Sequence, residues 1–210
     1  MRNTRYAVAA MAAAAALTLS ACGGDSGSDS ADSGDAETIR VGIKFDQPGL
    51  GFAEAGDYAG FDVDVAKYVA NELGYGEDQI EWIETPSAQR ENMLENDQVD
   101  MIFATYSITD TRKEKVSFAG PYFVAGQDLL VRSDSDITGP EDLNGKTLCS
   151  VTGSTSAQKV KDGIANDVNL VEQPSYAECV TAMQGGSIDA VTTDDIILAG
   201  RQAIDGDTAQ

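Results

Sequence analysis

The chain has 210 residues, with 14 Lys and Arg against 35 Asp and Glu, a net charge of -21 and no histidine. Such an acidic surface repels nucleic acid and anionic membranes, and the missing histidine removes the usual catalytic base and the commonest zinc ligand. No cofactor and no metal site is expected. An apolar content of 42% suits a globular fold, long enough for one large domain or two small lobes.

Arg2 and Arg5 precede an Ala-rich apolar run from Ala7 to Leu19, which is the layout of an export signal and too short to span a bilayer. The run ends in Leu19-Ser20-Ala21-Cys22-Gly23, which resembles the lipobox of bacterial lipoproteins. That resemblance implies a signal peptide over 1–21, cleavage before Cys22 and lipid on its thiol; the alternative is an ordinary signal with a chance cysteine. Residues 23–37 read GGDSGSDSADSGDAE, with no apolar side chain larger than alanine, so 22–37 is expected to be a disordered tether. With Cys22 set aside for lipid, Cys149 and Cys179 remain. An oxidising extracytoplasmic location favours a disulfide between them over two buried thiols.

Beyond the tether, TIRVGI reads as a strand and FDVDVAKYVANELG as a helix, with Asp62 as cap, Val65, Ala66, Val69 and Leu73 on one face, and Gly74 as stop. IEWIET is a second strand, SAQRENMLEN a helix from a Ser cap, and VDMIFA a nearly continuous apolar strand. After QDLLVR the plan repeats: a short helix near GPEDLNG, strand KTLCSV, a helix over 155–164, strand VNLVE, helix SYAECVTAMQGG and strand IDAVTT. Alternating helices and apolar strands predict α/β sheets covered on both faces, and the repeated plan predicts two lobes, over 38–124 and 133–210, joined by a hinge strand over 125–132.

Ligands of open α/β sheets bind beyond the carboxyl ends of the strands. The loops there are KFDQPG, TYSITDTR, TGSTS and TTDD. TGSTS places Ser154 and Thr155 at a helix start, as an anion seat or as a plain N-cap. TYSITDTR supplies Thr105, Ser107 and Thr109 before Arg112, whose guanidinium can fork a carboxylate or simply lie on the surface. Asp194 can hold an ammonium or cap the helix that follows. Lys44 is a further cation for the site or an exposed strand-end lysine.

GFDVDVAKYVANELG, NDQVDMIFATYSITDTRKEKVSFAGPYF, GKTLCSVTGSTS and IDAVTTDD, with the IKFDQPGLG stretch, resemble in order and spacing the polar amino-acid-binding proteins of bacterial ABC importers, and more narrowly the glutamate-binding lipoproteins of actinobacteria. The resemblance implies a periplasmic-binding-protein-like type II fold, two α/β lobes closing on one amino acid. It places Arg112 on the α-carboxylate with Ser107 and the backbone near Thr105 beside it, Ser154 and Thr155 on the same group, Asp194 on the α-ammonium and Arg90 toward a side-chain carboxylate. The cations Arg90, Arg112 and Lys44 against Asp194 match glutamate or aspartate. The family continues past the helix at Ile196 with elements that close the first lobe, so a C-terminal part is expected to be missing.

The expected function is a monomeric, lipid-anchored extracytoplasmic receptor that delivers glutamate to a membrane permease. The alternatives are an enzyme on the same fold, such as a dehydratase, and a ligand-sensing domain for a membrane kinase. The four loops hold no histidine, cysteine or glutamate, and only a few aspartates, Tyr106 and Lys44 could serve as catalytic acid or base, which argues against the enzyme.

Overall fold

A computed structural model describes residues 37–206, 208 and 209. The expected signal peptide, Cys22 and the tether up to residue 36 lie outside the described residues.

The first lobe is built on a parallel sheet of three strands, β1 (Ile39–Ile43), β4 (Ile80–Glu84) and β5 (Met101–Ile102), in the order β4-β1-β5. Between β1 and β4 come a hairpin, β2 (Phe52–Glu54) and β3 (Asp57–Ala59), and helix α1 (Phe61–Glu72). The hairpin was not legible in the sequence, because its three-residue strands carry no long alternation. Ile39, Val41 and Ile43 point to one face of β1 and pack with Val63, Ala66 and Ala70 of α1.

That helix differs from expectation at both ends. Its N-cap is Gly60, at φ +114°, where an added Cβ would strike the Leu50 backbone. Asp62 therefore falls inside the first turn and is buried, its Oδ1 2.7 Å from Tyr122 Oη. Leu73 ends outside the packed face, 58% exposed, since the buried stripe runs through Val63, Ala66 and Ala70. Helix α2 (Arg90–Glu95) likewise begins after a 3-10 turn over Ser87–Gln89, and Ser87 caps nothing. Helix α3 is the single turn Asp110–Lys113, capped by the Thr109 hydroxyl.

The second lobe contains β6 (Gln127–Arg132), β7 (Thr147–Val151), α4 (Ser156–Gly163), β8 (Asn169–Gln173), α5 (Tyr176–Gln184), β9 (Ala190–Asp194), α6 (Asp195–Asp205) and β10 (Thr208–Ala209). Its five strands lie in the order β10-β6-β9-β7-β8, parallel from β9 to β8 and antiparallel on both sides of β6. Alternate residues divide between the two faces: Leu130, Cys149 and Val191 pack with α5 and α6, while Leu148 and Ala190 pack with Ala157 and Val160 of α4. Ser175 and Glu178 form a capping box at the start of α5.

Of the segment expected as a hinge strand, 125–132, the last six residues form β6 and pair with β9 and β10 of this sheet. The crossing between lobes narrows to the residues just before it, where Gly126 exchanges backbone and side-chain hydrogen bonds with Asp195. A second junction lies in the loop after β1. Leu50 is packed in the core of the second lobe with Ile197 and Leu198, and Arg201 donates to the Asp46 carbonyl at 3.4 Å.

Candidate functional site

The loops at the carboxyl ends of β5, β7 and β9 meet across a small polar cavity. Arg90, Thr105, Ser107 and Arg112 line it from the first lobe, and Gly153 to Ser156, Tyr176, Thr193 and Asp194 from the second. Seven of the eight expected ligand-binding residues are thereby brought together.

Arg112 reaches across the gap. Its Nη1 donates to the Ser107 carbonyl at 3.0 Å and its Nη2 to the Gly153 carbonyl at 2.9 Å, while Nε lies 3.5 Å from Glu91 Oε1. Arg90, only 1% exposed, donates from Nε to the Thr85 carbonyl at 3.3 Å and from Nη1 to the Thr105 carbonyl at 3.0 Å. Its Nη2 has no hydrogen-bond partner among the described residues. A buried guanidinium with an unmatched donor is costly unless an acceptor meets it. Burial, then the like charge of Arg112, lowers the Arg90 pKa.

The second lobe supplies hydroxyls and one acid. Ser154 Oγ accepts from the Ser156 backbone NH at 3.2 Å and lies 3.5 Å from Tyr176 Oη, which is 2.5 Å from Thr193 Oγ1. Thr155 is the N-cap residue of α4, and its side chain makes no capping bond. Asp194 stands at the N-cap of α6 and also makes no side-chain capping bond. Burial, and then the neighbouring Asp195, raise the Asp194 pKa, against the pull of Lys159, Arg90 and Arg112.

Lys44 is the correction. It neither lines the cavity nor lies exposed at a strand end: it is 1% exposed and paired with Asp46 at 3.0 Å. A buried ammonium needs a nearby counter-ion, and Asp46, two residues on, supplies it. Behind the site, Cys149 of β7 and Cys179 of α5 are joined by a disulfide.

The structure also brings in groups that were not assigned to the site. Tyr106 lies with its ring centre 4.3 Å from the Arg112 guanidinium carbon and 5.1 Å from that of Arg90. Tyr176 and Thr193 form the hydroxyl pair of the second lobe, and Glu91 provides the carboxylate beside Arg112. Tyr106 sits within the TYSITDTR loop, and its signal was an aromatic ring between two arginine-bearing segments. Tyr176 reads in sequence only as a core position of α5.

Two α/β lobes with a polar cleft at their strand ends define the class: a binding protein of the periplasmic type II architecture. Residues 39–169, more than half of the chain, match the bacterial extracellular solute-binding proteins, family 3, and the chain belongs to that family. It is a solute-binding protein and not an enzyme. It is similar to the glutamate-binding protein GluB of Corynebacterium efficiens, 49% identical over 209 residues, 94% of this chain and 70% of that protein. The glutamine-binding protein of Geobacillus stearothermophilus is 43% identical over 165 residues, 77% of this chain and 63% of that protein. Among solved structures, an ancestral arginine-binding protein bound to arginine superimposes with a TM-score of 0.74 at 33% identity, covering 83% of this chain and 78% of that one.

Proposed function

We propose that this chain is an extracytoplasmic receptor that captures an acidic amino acid, glutamate, between its lobes and delivers it to the permease of an ABC importer. Arg112 holds the α-carboxylate with Ser107, the Thr105 backbone and the helix start at Ser154 and Thr155. Asp194 takes the α-ammonium, and Arg90 meets the side-chain carboxylate. Lipid on Cys22 anchors the receptor to the membrane, with the tether over 22–37 holding the lobes over 38–124 and 133–210 above it.

One observation carries this reading: a buried arginine with an unmatched donor, Arg90, lines the same cleft as Arg112 and Asp194. Two cations and one anion complement two carboxylates and one ammonium. Neutral or basic amino acids would leave the buried Arg90 charge unmet. The similarity to GluB supports the same ligand. Closure then follows from the ligand meeting groups of both lobes at once.

Calorimetric titration of the full chain with glutamate, aspartate, glutamine and arginine tests this. Glutamate is expected to bind most tightly. Arg112→Ala should weaken every amino acid by about a hundredfold, as expected for removing one partner of a buried charge pair, whereas Arg90→Gln should lose the preference for glutamate over glutamine. Tighter binding of arginine by the wild-type chain, or an Arg90→Gln variant that still prefers glutamate, would overturn the assignment.

A further inference from the structure

We propose that Tyr106 is a positioning residue for ligand specificity: its ring holds Arg90 and Arg112 together as one paired receptor for two carboxylates. The inference rests on the acidic-ligand reading above and concerns how the site achieves it. Both guanidinium carbons lie within cation–π reach of a single ring, at 5.1 Å for Arg90 and 4.3 Å for Arg112. The two cations can therefore be no farther apart than those distances laid end to end, in a site where each repels the other.

Two arginines in a partly desolvated cleft would be expected to splay apart. Arg90 is fixed by the Thr85 and Thr105 carbonyls and Arg112 by the Ser107 and Gly153 carbonyls. Tyr106 lies in the chain between Thr105 and Ser107, so the residues that accept from both arginines flank the ring that both approach. The electron-rich ring offsets part of the repulsion without neutralising either charge, which a carboxylate in its place would do. Glu91, 3.5 Å from Arg112 Nε, is the counter-charge on one side only.

The phenol stays neutral and is not the working part. Burial first, and then the Glu91 carboxylate, push its pKa well above the usual tyrosine range. Among the described residues its Oη makes no hydrogen bond of normal geometry. The face of the ring is what the arginines use, so phenylalanine can replace tyrosine and an aliphatic side chain cannot.

The test compares glutamate and glutamine affinities by calorimetry in the full wild-type chain and in Tyr106→Phe, Tyr106→Leu and Tyr106→Met variants. Tyr106→Phe should keep both affinities within about twofold, because the ring face that both arginines approach is kept. Tyr106→Leu should weaken glutamate by about tenfold and glutamine by less, so that the selectivity ratio falls; Tyr106→Met carries the same comparison if the leucine variant does not fold. A ratio unchanged in the aliphatic variants, or lost in Tyr106→Phe, overturns the role of the ring while leaving the ligand assignment in place. A wild-type chain that does not prefer glutamate overturns the ligand assignment, and this proposal falls with it.

Discussion

Asp194 shows how the ionisation of one residue is set by its neighbours rather than by its type. Burial and Asp195 raise its pKa above the ordinary 3.8, and Lys159, Arg90 and Arg112 only partly oppose them. An ammonium ligand needs the ionised carboxylate, so affinity should be complete above the raised pKa and fall as pH drops through it, with protons released on binding in that window. Calorimetry in buffers of different ionisation enthalpy reads the proton release; its absence near the falling limb would remove Asp194 from the ammonium role. For stability the sign is opposite. The folded chain holds this proton more tightly than the unfolded chain, so the carboxylate subtracts stability as pH rises from 3.8 through the raised value. Arg112 and Asp194 share the cleft because Arg112 stands in the short helix that follows the β5 loop and Asp194 ends β9, both among the strand-end loops that the sequence singled out. The place of Lys44 was not legible there, since nothing in KFDQPG says that Asp46 folds back onto it.

At the scale of elements, a local cap predicted the start of α5 but not those of α1 and α2. Ser175 and Glu178 cap α5 reciprocally, and the helix begins where SYAE predicts it. Asp62 misled because Gly60 alone fits beneath the Leu50 backbone, a contact 10 residues away in sequence. The disulfide ties the middle of α5 to β7 across 30 residues. Constraining a loop of that length should contribute about 2–4 kcal/mol, read as the difference between urea unfolding with and without reductant. Because α5 also carries Tyr176, whose hydroxyl lies beside Ser154 and Thr193, reduction should weaken ligand affinity as well as stability. Equal unfolding midpoints in both conditions would show that the bond constrains nothing.

For the molecule as a whole, among the described residues the chain crosses between the lobes just before Gly126, and the lobes touch where Leu50 is seated among the side chains of the second lobe and where Gly153 lies against the first. The contact at Gly153 lies in the cleft. Gly153 has φ +85°, and a Cβ there would come 2.7 Å from the Ala88 backbone. Gly153→Ala should therefore act as a wedge between the lobes, weakening glutamate by about tenfold and increasing the radius of gyration measured with ligand by small-angle scattering. Unchanged affinity and radius would mean that the lobes do not close on Gly153 when ligand binds.

The order of strands and helices, the covered sheets and the cleft loops followed from the sequence alone, because apolar period, caps and turn residues act over a few positions. The short β2–β3 hairpin, the pairing of β6 with β9 and β10, the burial of Lys44 with Asp46 and the approach of two arginines to the ring of Tyr106 were decided only by the tertiary structure. Each depends on partners distant in the chain or on which way a side chain turns once packed, and neither is written in local pattern. Local pattern set which segments reach the cleft; packing drew Lys44 out of it onto Asp46, brought Glu91 beside Arg112, and left one donor of Arg90 for a ligand.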